Sequence, residues 1–479
     1  MKTQLYNLPR PMLCDVEKDL DADGFPTMKA VREYMDLHSG AIRRLKYLSE
    51  LYVGRHDILR APDKEAWKPD NRLVVNFPRY ITNISLGYGY GVPITKRFTD
   101  EKVEDSILQI EKRNHIVDHE NQLFKKVFQM GHAWEFFYQN ENAQTRMKVL
   151  TPMQFFCVYD DTLEERSVFA VRYGKKKDGK IYGEVYTREY QRKFFEGNWK
   201  GELEVNPYGL IPAVEYMLND ERMGLYEDSA PLIEAYNRTL SEKTNDVDAF
   251  AEAYLAIIGT EVGSDQVRRI RDERVINIFG TDNADEIKNI VVQFLTKPTA
   301  DATQENLLNR LERLIFQISM SANISDDSFG NVASGEAMAY KLLATGTMLS
   351  TFDTKISKSM QKRYKILCSL STNSPDPNAW EDVELQFHRN IPKNTAAEIE
   401  NAKNVAGMVS QETQLSLMPS VIPDVAAELE RIAAEQEDMR AQLNAYGNFG
   451  VHAHEDEPEE DEPDETDETD EVNNGKEQG

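Results

Sequence analysis

The stretch PLIEAYNRTLSEKTNDVDAFAEAYLA, residues 231–256, decides the architecture. It opens with proline, which suits the first turn of a helix because its missing N–H is one of the donors left unpaired there anyway. It sets Tyr236, Leu240, Val247, Ala251 and Tyr254 on one stripe. At 1.5 Å per residue such a helix runs about 39 Å. A second helix is expected from about 302 to 322, where Leu307, Leu311, Leu314 and Ile318 recur at spacings of four, three and four, the pattern of a packed helical seam. Between them, residues 257–300 read as a small α+β insertion, with a charged helix, SDQVRRIRDER, followed by the strand-like VINIF and NIVVQFL. Two long helices returning from one insertion make a hairpin with a small domain at its tip.

Outward from the hairpin, the texture changes on both sides. Downstream comes a polar loop, SDDSFGNVASG (325–335), then a long helix to about 369. That helix carries Lys355, Lys358, Lys362, Arg363 and Lys365, which read as a solvated or salt-bridged face. Upstream, residues 130–216 are rich in aromatic and β-branched residues separated by turn signals such as Asp178-Gly179, and predict an antiparallel sheet. Helical segments flank it at roughly 27–60 and 100–129. Residues 394–447 combine alanine, glutamate and leucine at helical spacing, with Pro419 and Pro423 breaking the run into two pieces. The expected fold class is α+β.

The composition narrows the function. The chain has 479 residues, 40% hydrophobic and 29% charged, enough for a sizeable core and about two to four domains. No run approaches the roughly 18 apolar residues of a membrane span, and MKTQLYNLPRP at the start has no apolar segment after its lysine. A soluble protein without a signal peptide is expected. Cys14, Cys157 and Cys368 lie far apart with no CxxC pair, which favours neither a disulfide framework nor a thiolate zinc site and points to a reducing cytoplasm. The net charge of −26 argues against a protein that grips nucleic acid through a basic face, so any DNA contact must be loose, local or repulsive. Half of that charge sits in EDEPEEDEPDETDETDE (455–471), which holds 13 acids and no base and reads as a disordered solubility tail.

Several constellations approach known chemistry and stop short. Asp19-x-Asp21-x-Asp23-Gly24 begins like an EF-hand loop, but Ala30 stands where the bidentate glutamate is needed and Pro26 falls inside, so an acidic turn is expected. Gly330 and Gly335 have P-loop spacing, yet Glu336 and Ala337 replace the lysine and the Ser/Thr. Gly87, Gly89 and Gly91 lack the third glycine of a dinucleotide fingerprint and read as a turn. His115 and His119 share a helix face without the glutamate of HExxH, and read as half-exposed. The acidic pairs Asp160-Asp161 and Glu164-Glu165 do not rise above the background of 82 acids. No catalytic, metal or cofactor set is assembled. The rival readings are another structural module, a head–tail connector or minor head protein, and, behind it, a metal-dependent nuclease.

Three stretches resemble the portal proteins of tailed bacteriophages, specifically the portal family of long-tailed phages of Gram-positive hosts. They are NRLVVNFPRYITNISLGYGYGVPI (71–94), NPYGLIPAVEYMLNDERMGLYEDSAPLIEAYNRTLSEKTNDVDAFAEAYLAIIG (206–259) and SGEAMAYKLL (334–343). The second is the strongest, through Gly209, Ile211, Pro212, Asn219, Ile233, Ala235, Tyr236, Asn237, Ser241, Asn245 and Asp246. The resemblance implies a homo-oligomeric, dodecameric ring at one capsid vertex, located in the virion after assembly in the host cytoplasm. It implies a wing (1–230), stem helices (231–256 and 301–323), a clip (257–300), a channel loop (324–335), a long helix returning to the wing (336–393), a crown (394–450) and a tail (451–479). In that scheme Asp326, Asp327, Ser328, Phe329, Gly330, Asn331 and Ser334 face the DNA channel. Arg268, Arg269, Arg271, Asp272 and Arg274 of the clip face the terminase large subunit and then the head–tail adaptor. Tyr236, Leu240, Val247, Leu307, Leu311, Leu314 and Ile318 pack the stem. Major capsid and scaffolding proteins and double-stranded DNA, met without sequence preference, complete the implied partners.

Overall fold

The computed structural model describes residues 11–65, 68–251, 254–258, 291–295, 301–324, 342–390, 395–419, 421–422 and 424–447. The chain divides into two compact units, Met1–Pro392 and Lys393–Gly479. The first is α+β.

The aromatic-rich region forms two sheets where one was expected, because residue texture marks strands but not their partners. The larger has the order β1 (Met12–Leu13), β5 (Phe155–Tyr159), β6 (Ser167–Lys175), β7 (Ile181–Tyr186), β8 (Tyr190–Phe195), β9 (Asn198–Val205). All its pairings are antiparallel except that of β1 with β5. The smaller places β3 (His132–Gln139) between β10 (Ala213–Met217) and β4 (Thr145–Leu150). A short pair, β2 (Thr95–Arg97) with β13 (Glu384–Gln386), ties two distant parts of the chain together.

Helix α1 (Val16–Asp19) is a single turn, and α2 (Met28–Tyr52) starts at Thr27, whose hydroxyl accepts from the Ala30 N–H. α2 ends at Tyr52, short of the predicted 60, and residues Asp57–Arg60 form a separate 3₁₀ turn. In α3 (Phe77–Tyr90) the side-chain Oδ1 of Asn76 accepts from the Arg79 N–H at 3.1 Å and Pro78 sits in the first turn. The Gly87–Gly91 run, read as a turn, is instead the end of this helix. The reason is packing: a Cβ on Gly89 would lie 2.9 Å from Leu349 Cδ1, so glycine lets two helices cross closely. α4 (Glu101–Arg113) and α5 (Ile116–Met130) follow, and α5 ends at Gly131, whose φ of +83° turns the chain into β3.

The long helix α8 (Leu343–Cys368) runs through the main core. Leu349, Phe352, Ile356, Met360, Tyr364 and Leu367 are all buried, a stripe at helical spacing. Phe352 meets Tyr90 and Phe128 at centroid distances of 5.9 and 5.3 Å.

Among the described residues of the second unit there are three helices and not two: α9 (Thr395–Asn404), α10 (Gln411–Ser416) and α11 (Val425–Gly447). Besides the break near Pro419 and Pro423, Gly407 at φ +79° ends the first helix's run, and Ser410 caps the second. No helix among the described residues is long and apolar enough to cross a membrane.

Candidate functional site

The hairpin is built from α6 (Ala230–Ala251) and α7 (Asp301–Ile318), which pack together, and from β11 (Tyr254–Ile258) paired antiparallel with β12 (Val291–Leu295) beyond them. The first helix therefore stops five residues before the predicted 256, where the apolar run Tyr-Leu-Ala-Ile-Ile adopts a strand. The rest of the predicted insertion, with Arg268, Arg269, Arg271, Asp272 and Arg274, lies outside the described residues. So do Asp326, Asp327, Ser328, Phe329, Gly330, Asn331 and Ser334, and the P-loop-like glycines with Glu336 and Ala337.

At its base the hairpin is apolar. Ile233 and Ile315 are fully buried with Leu48, Leu51, Phe77 and Tyr226, and Phe77 meets Tyr236 and Phe316 edge-on at 5.0 and 5.7 Å. Further along it is polar: Gln304 donates to Asp246 at 3.1 Å, and Lys243 pairs with Glu305. The predicted seam keeps Leu311 but is otherwise shifted by one position. Leu308, Leu311 and Ile315 turn inward, whereas Leu307 and Ile318 are 46% and 44% exposed and Val247 is 61% exposed. Leu314, Tyr236 and Leu240 are half-buried. Leucine or isoleucine at 307, 308, 311, 314, 315 and 318 supports two overlapping stripes, and spacing alone does not choose between them.

The buried face of α6 carries Asn237, Ser241 and Asn245, which spacing alone did not single out. They accept the backbone N–H groups of Val75, Leu73 and Asn71 at 2.8, 2.9 and 2.6 Å. The match is geometric: side chains four apart on a helix rise about 6 Å, close to the repeat of alternate residues in an extended chain. Asn-x₃-Ser-x₃-Asn is a helix face that receives the segment 71–75 as a strand edge would.

The lysine-rich helix holds the second surprise. Arg363, read with the lysines as a solvated or salt-bridged face, is salt-bridged but fully buried. Its Nε donates to Glu135 at 2.8 Å and its Nη1 to Glu120. Lys96 bridges Glu120 at 2.9 Å and Glu111 at 3.1 Å, His119 meets Glu135 at 2.7 Å, and the Tyr216 and Tyr364 hydroxyls donate to Glu135 and Glu111, both at 2.8 Å. Burial alone would raise the Glu135 carboxyl, but the Arg363 charge and the His119 hydrogen bond outweigh it and hold the group down at about 2. His119 is thus a buried member of an ion network and not half of an exposed pair, and His115 stands at the head of α5 with φ +50°. A second buried pair, Arg44 with Glu227 through two bonds of 2.5 Å, fixes α2 to the turn before α6.

The decoys resolve into turns. Asp19 accepts from the Tyr34 hydroxyl and the Asp15 N–H, while Asp21 accepts from the Asp23 and Phe25 N–H groups, so the two carboxylates serve separate partners. Asp160 accepts from Thr162 and Arg166 inside its own loop. Among the described residues no group of three or more His, Cys, Asp or Glu is placed to hold a metal ion. The arrangement is mechanical: buried ion pairs and a side-chain ladder lock the base of the hairpin and a long helix onto the sheets.

A family model described as "Phage portal protein, SPP1 Gp6-like" matches residues 33–441. No curated protein matches the chain. Among solved structures, the chain is similar to one in the virion of a native gene transfer agent particle, at 13% identity and a TM-score of 0.46, over 78% of this chain and 98% of that one. It is similar also to one in the neck of an empty gene transfer agent particle computed with C6 symmetry, at 13% identity and 0.45, over 71% and 89%. A third, from the neck of a native particle computed with C12 symmetry, gives 12% and 0.42, over 71% and 89%.

Proposed function

The chain belongs to the SPP1 Gp6-like family of phage portal proteins, and from that membership we propose how its parts divide the work of passing DNA through a capsid vertex. A portal protein is structural and not an enzyme; its task is the passage of double-stranded DNA during packaging. What carries the reading is the extent of the match, which runs from α2 through the hairpin and α8 into α11.

In this reading the chain forms a closed homo-oligomeric ring, dodecameric by family resemblance, at one vertex of the virion. Residues 1–230 are the wing, α6 and α7 the stem, and 257–300 the clip, whose Arg268, Arg269, Arg271, Asp272 and Arg274 meet the terminase large subunit during packaging and the head–tail adaptor afterwards. Residues 394–450 are the crown and 451–479 an acidic tail. Major capsid and scaffolding proteins surround the ring. The net charge of −26 suits a wall past which a duplex slides without sticking.

The offset seam supports the ring. Leu307, Ile318 and Val247 are apolar side chains that the hairpin leaves uncovered, as a surface awaiting a neighbouring copy does. Leu307→Asp with Ile318→Asp is expected to convert rings to smaller species in native mass spectrometry while the unfolding free energy changes by no more than about 1–2 kcal/mol, because both side chains are already nearly half exposed in the single chain. Wild-type protein that stays monomeric across micromolar concentrations contradicts the reading.

The loop 325–335 is proposed to face the channel, since it is polar and joins two long helices. Asp326→Lys with Asp327→Lys is expected to slow DNA packaging by assembled proheads in a salt-dependent way, with rings of normal size. Wild-type packaging at low salt would place the loop away from DNA.

A further inference from the structure

From Thr347 to Lys365, every exposed position of α8 is a hydroxyl, an amide or a lysine: Thr347, Ser350, Thr351, Thr354, Lys358, Gln361, Lys362 and Lys365. The row is about 27 Å long at 1.5 Å per residue. No carboxylate and no apolar side chain interrupts it, in a chain with 82 acids against 56 lysines and arginines. Asp353, the helix's own acid in this span, is turned to the side and taken by Arg389 and the Tyr90 hydroxyl. Asp220, an exposed acid on a neighbouring element, is engaged by Lys355 and also feels the charge of Lys358.

Three further observations bear on what this face meets. Lys358 and Lys362 have no ion-pair partner among the described residues, and Lys365 lies over the Trp380 ring at 4.6 Å. Lys362 is held below its ordinary value, first by partial burial of its stem and then by the charge of Lys358, with Lys365 adding to it, while the Glu215 carboxylate beneath the helix opposes the shift without pairing with it. The opposite face of the helix is locked by Phe352, Ile356, Met360, Arg363 and Tyr364, all buried, so the row is presented rigidly. A contact with another copy of an obligate ring is expected to be apolar at its centre, with charge depleted. This face has the opposite composition, and side chains that donate or are cationic match a surface made only of acceptors.

We propose that this face of α8 is a contact for the phosphate backbone of duplex DNA, without base recognition. The inference rests on the portal reading and adds to it a local exception to the acidic wall: a few exchangeable lysine contacts per copy that guide the duplex, too few to hold it against the repulsion of the rest.

The test compares full-chain rings of wild type, Lys358→Gln/Lys362→Gln/Lys365→Gln and the corresponding arginine variant. Association with a 30-base-pair DNA duplex of random sequence is measured across salt concentrations. The glutamine variant is expected to lose about 0.9 from the slope of log K against log salt for each lysine–phosphate contact removed, about 3 per engaged copy, while the arginine variant keeps the wild-type slope. In parallel, a photo-crosslinker at Gln361 is expected to give adducts with DNA in particles arrested during packaging. Equal slopes in wild type and the glutamine variant, or a wild type with no salt slope, overturn the inference. So does a crosslink to a second copy of the chain, which would make the face a subunit interface. Rings that package DNA yet give any of these results leave the portal reading standing; wild-type protein that forms no ring fails that reading itself.

Discussion

Replacing Arg363 with methionine is expected to lower the free energy of unfolding by about 3–5 kcal/mol, the cost of leaving buried carboxylates without their cation. Glu135 and Glu120 both lean on this guanidinium, and Glu135 is fully buried. Lys96 lies against Glu120 and Glu111, which leaves Glu135 with His119 and the Tyr216 hydroxyl. Adding Glu135→Leu to Arg363→Met is therefore expected to recover much of the loss, since removing both charges of a pair is far milder than removing one. Denaturant midpoints of the three proteins, at unchanged slope, check this. A loss under about 1 kcal/mol in Arg363→Met would show that water reaches the network.

Acid is expected to weaken the fold from about pH 6.5 downward, well before the carboxylates of an ordinary domain protonate. His38 and His132 are both buried, and burial depresses each from 6.5 to about 4. For His38 the bond to the Pro152 carbonyl opposes the shift; for His132 the Glu215 charge opposes it while Arg222 and Arg44 add to it. The Pro152 carbonyl only accepts, so His38 Nε2 carries the proton and Nδ1 accepts from the Tyr173 hydroxyl, each at 2.7 Å. A group with a depressed folded value takes up its proton first in the unfolded chain, so stability is intact above pH 6.5 and falls as the pH drops toward 4. The full shift corresponds to about 3 kcal/mol per histidine, a large share of what holds a domain together. Glu135 extends the loss from about 4.5 down to about 2. His38→Gln should remove one proton equivalent from the pH dependence of unfolding between pH 6.5 and 4. An unchanged slope would mean that His38 is already charged or exposed in the native protein.

Element existence was legible where periodicity was strong: the two hairpin helices, the long helix α8 and the strand-rich region are all present. What periodicity could not supply was the choice between equivalent partners. The leucines and isoleucines of α7 fit two overlapping stripes, and the fold buries Leu308, Leu311 and Ile315 while Leu307 and Ile318 of the expected seam stay exposed. The helix end at Ala251 was hidden because an apolar run suits a helix or a strand equally. Arg363 looked like its lysine neighbours because nothing local reveals that Glu120 and Glu135, more than 200 residues away, converge on it. The glycines of Gly87–Gly91 suggested a turn, whereas the space for Leu349 that makes them useful belongs to another helix. Asn237, Ser241 and Asn245 stood out only through the family resemblance; their role as acceptors for residues 71–75 needs both segments in view.

The central claim is that this chain builds a closed ring with an axial channel. Electron-microscopic class averages of the purified full-length protein, with native mass spectrometry of the same sample, test it most directly. The account predicts one closed ring species with an open channel on its axis and a mass that is a whole multiple of the 54.9 kDa chain. Monomers, open filaments or closed particles without a channel would contradict it.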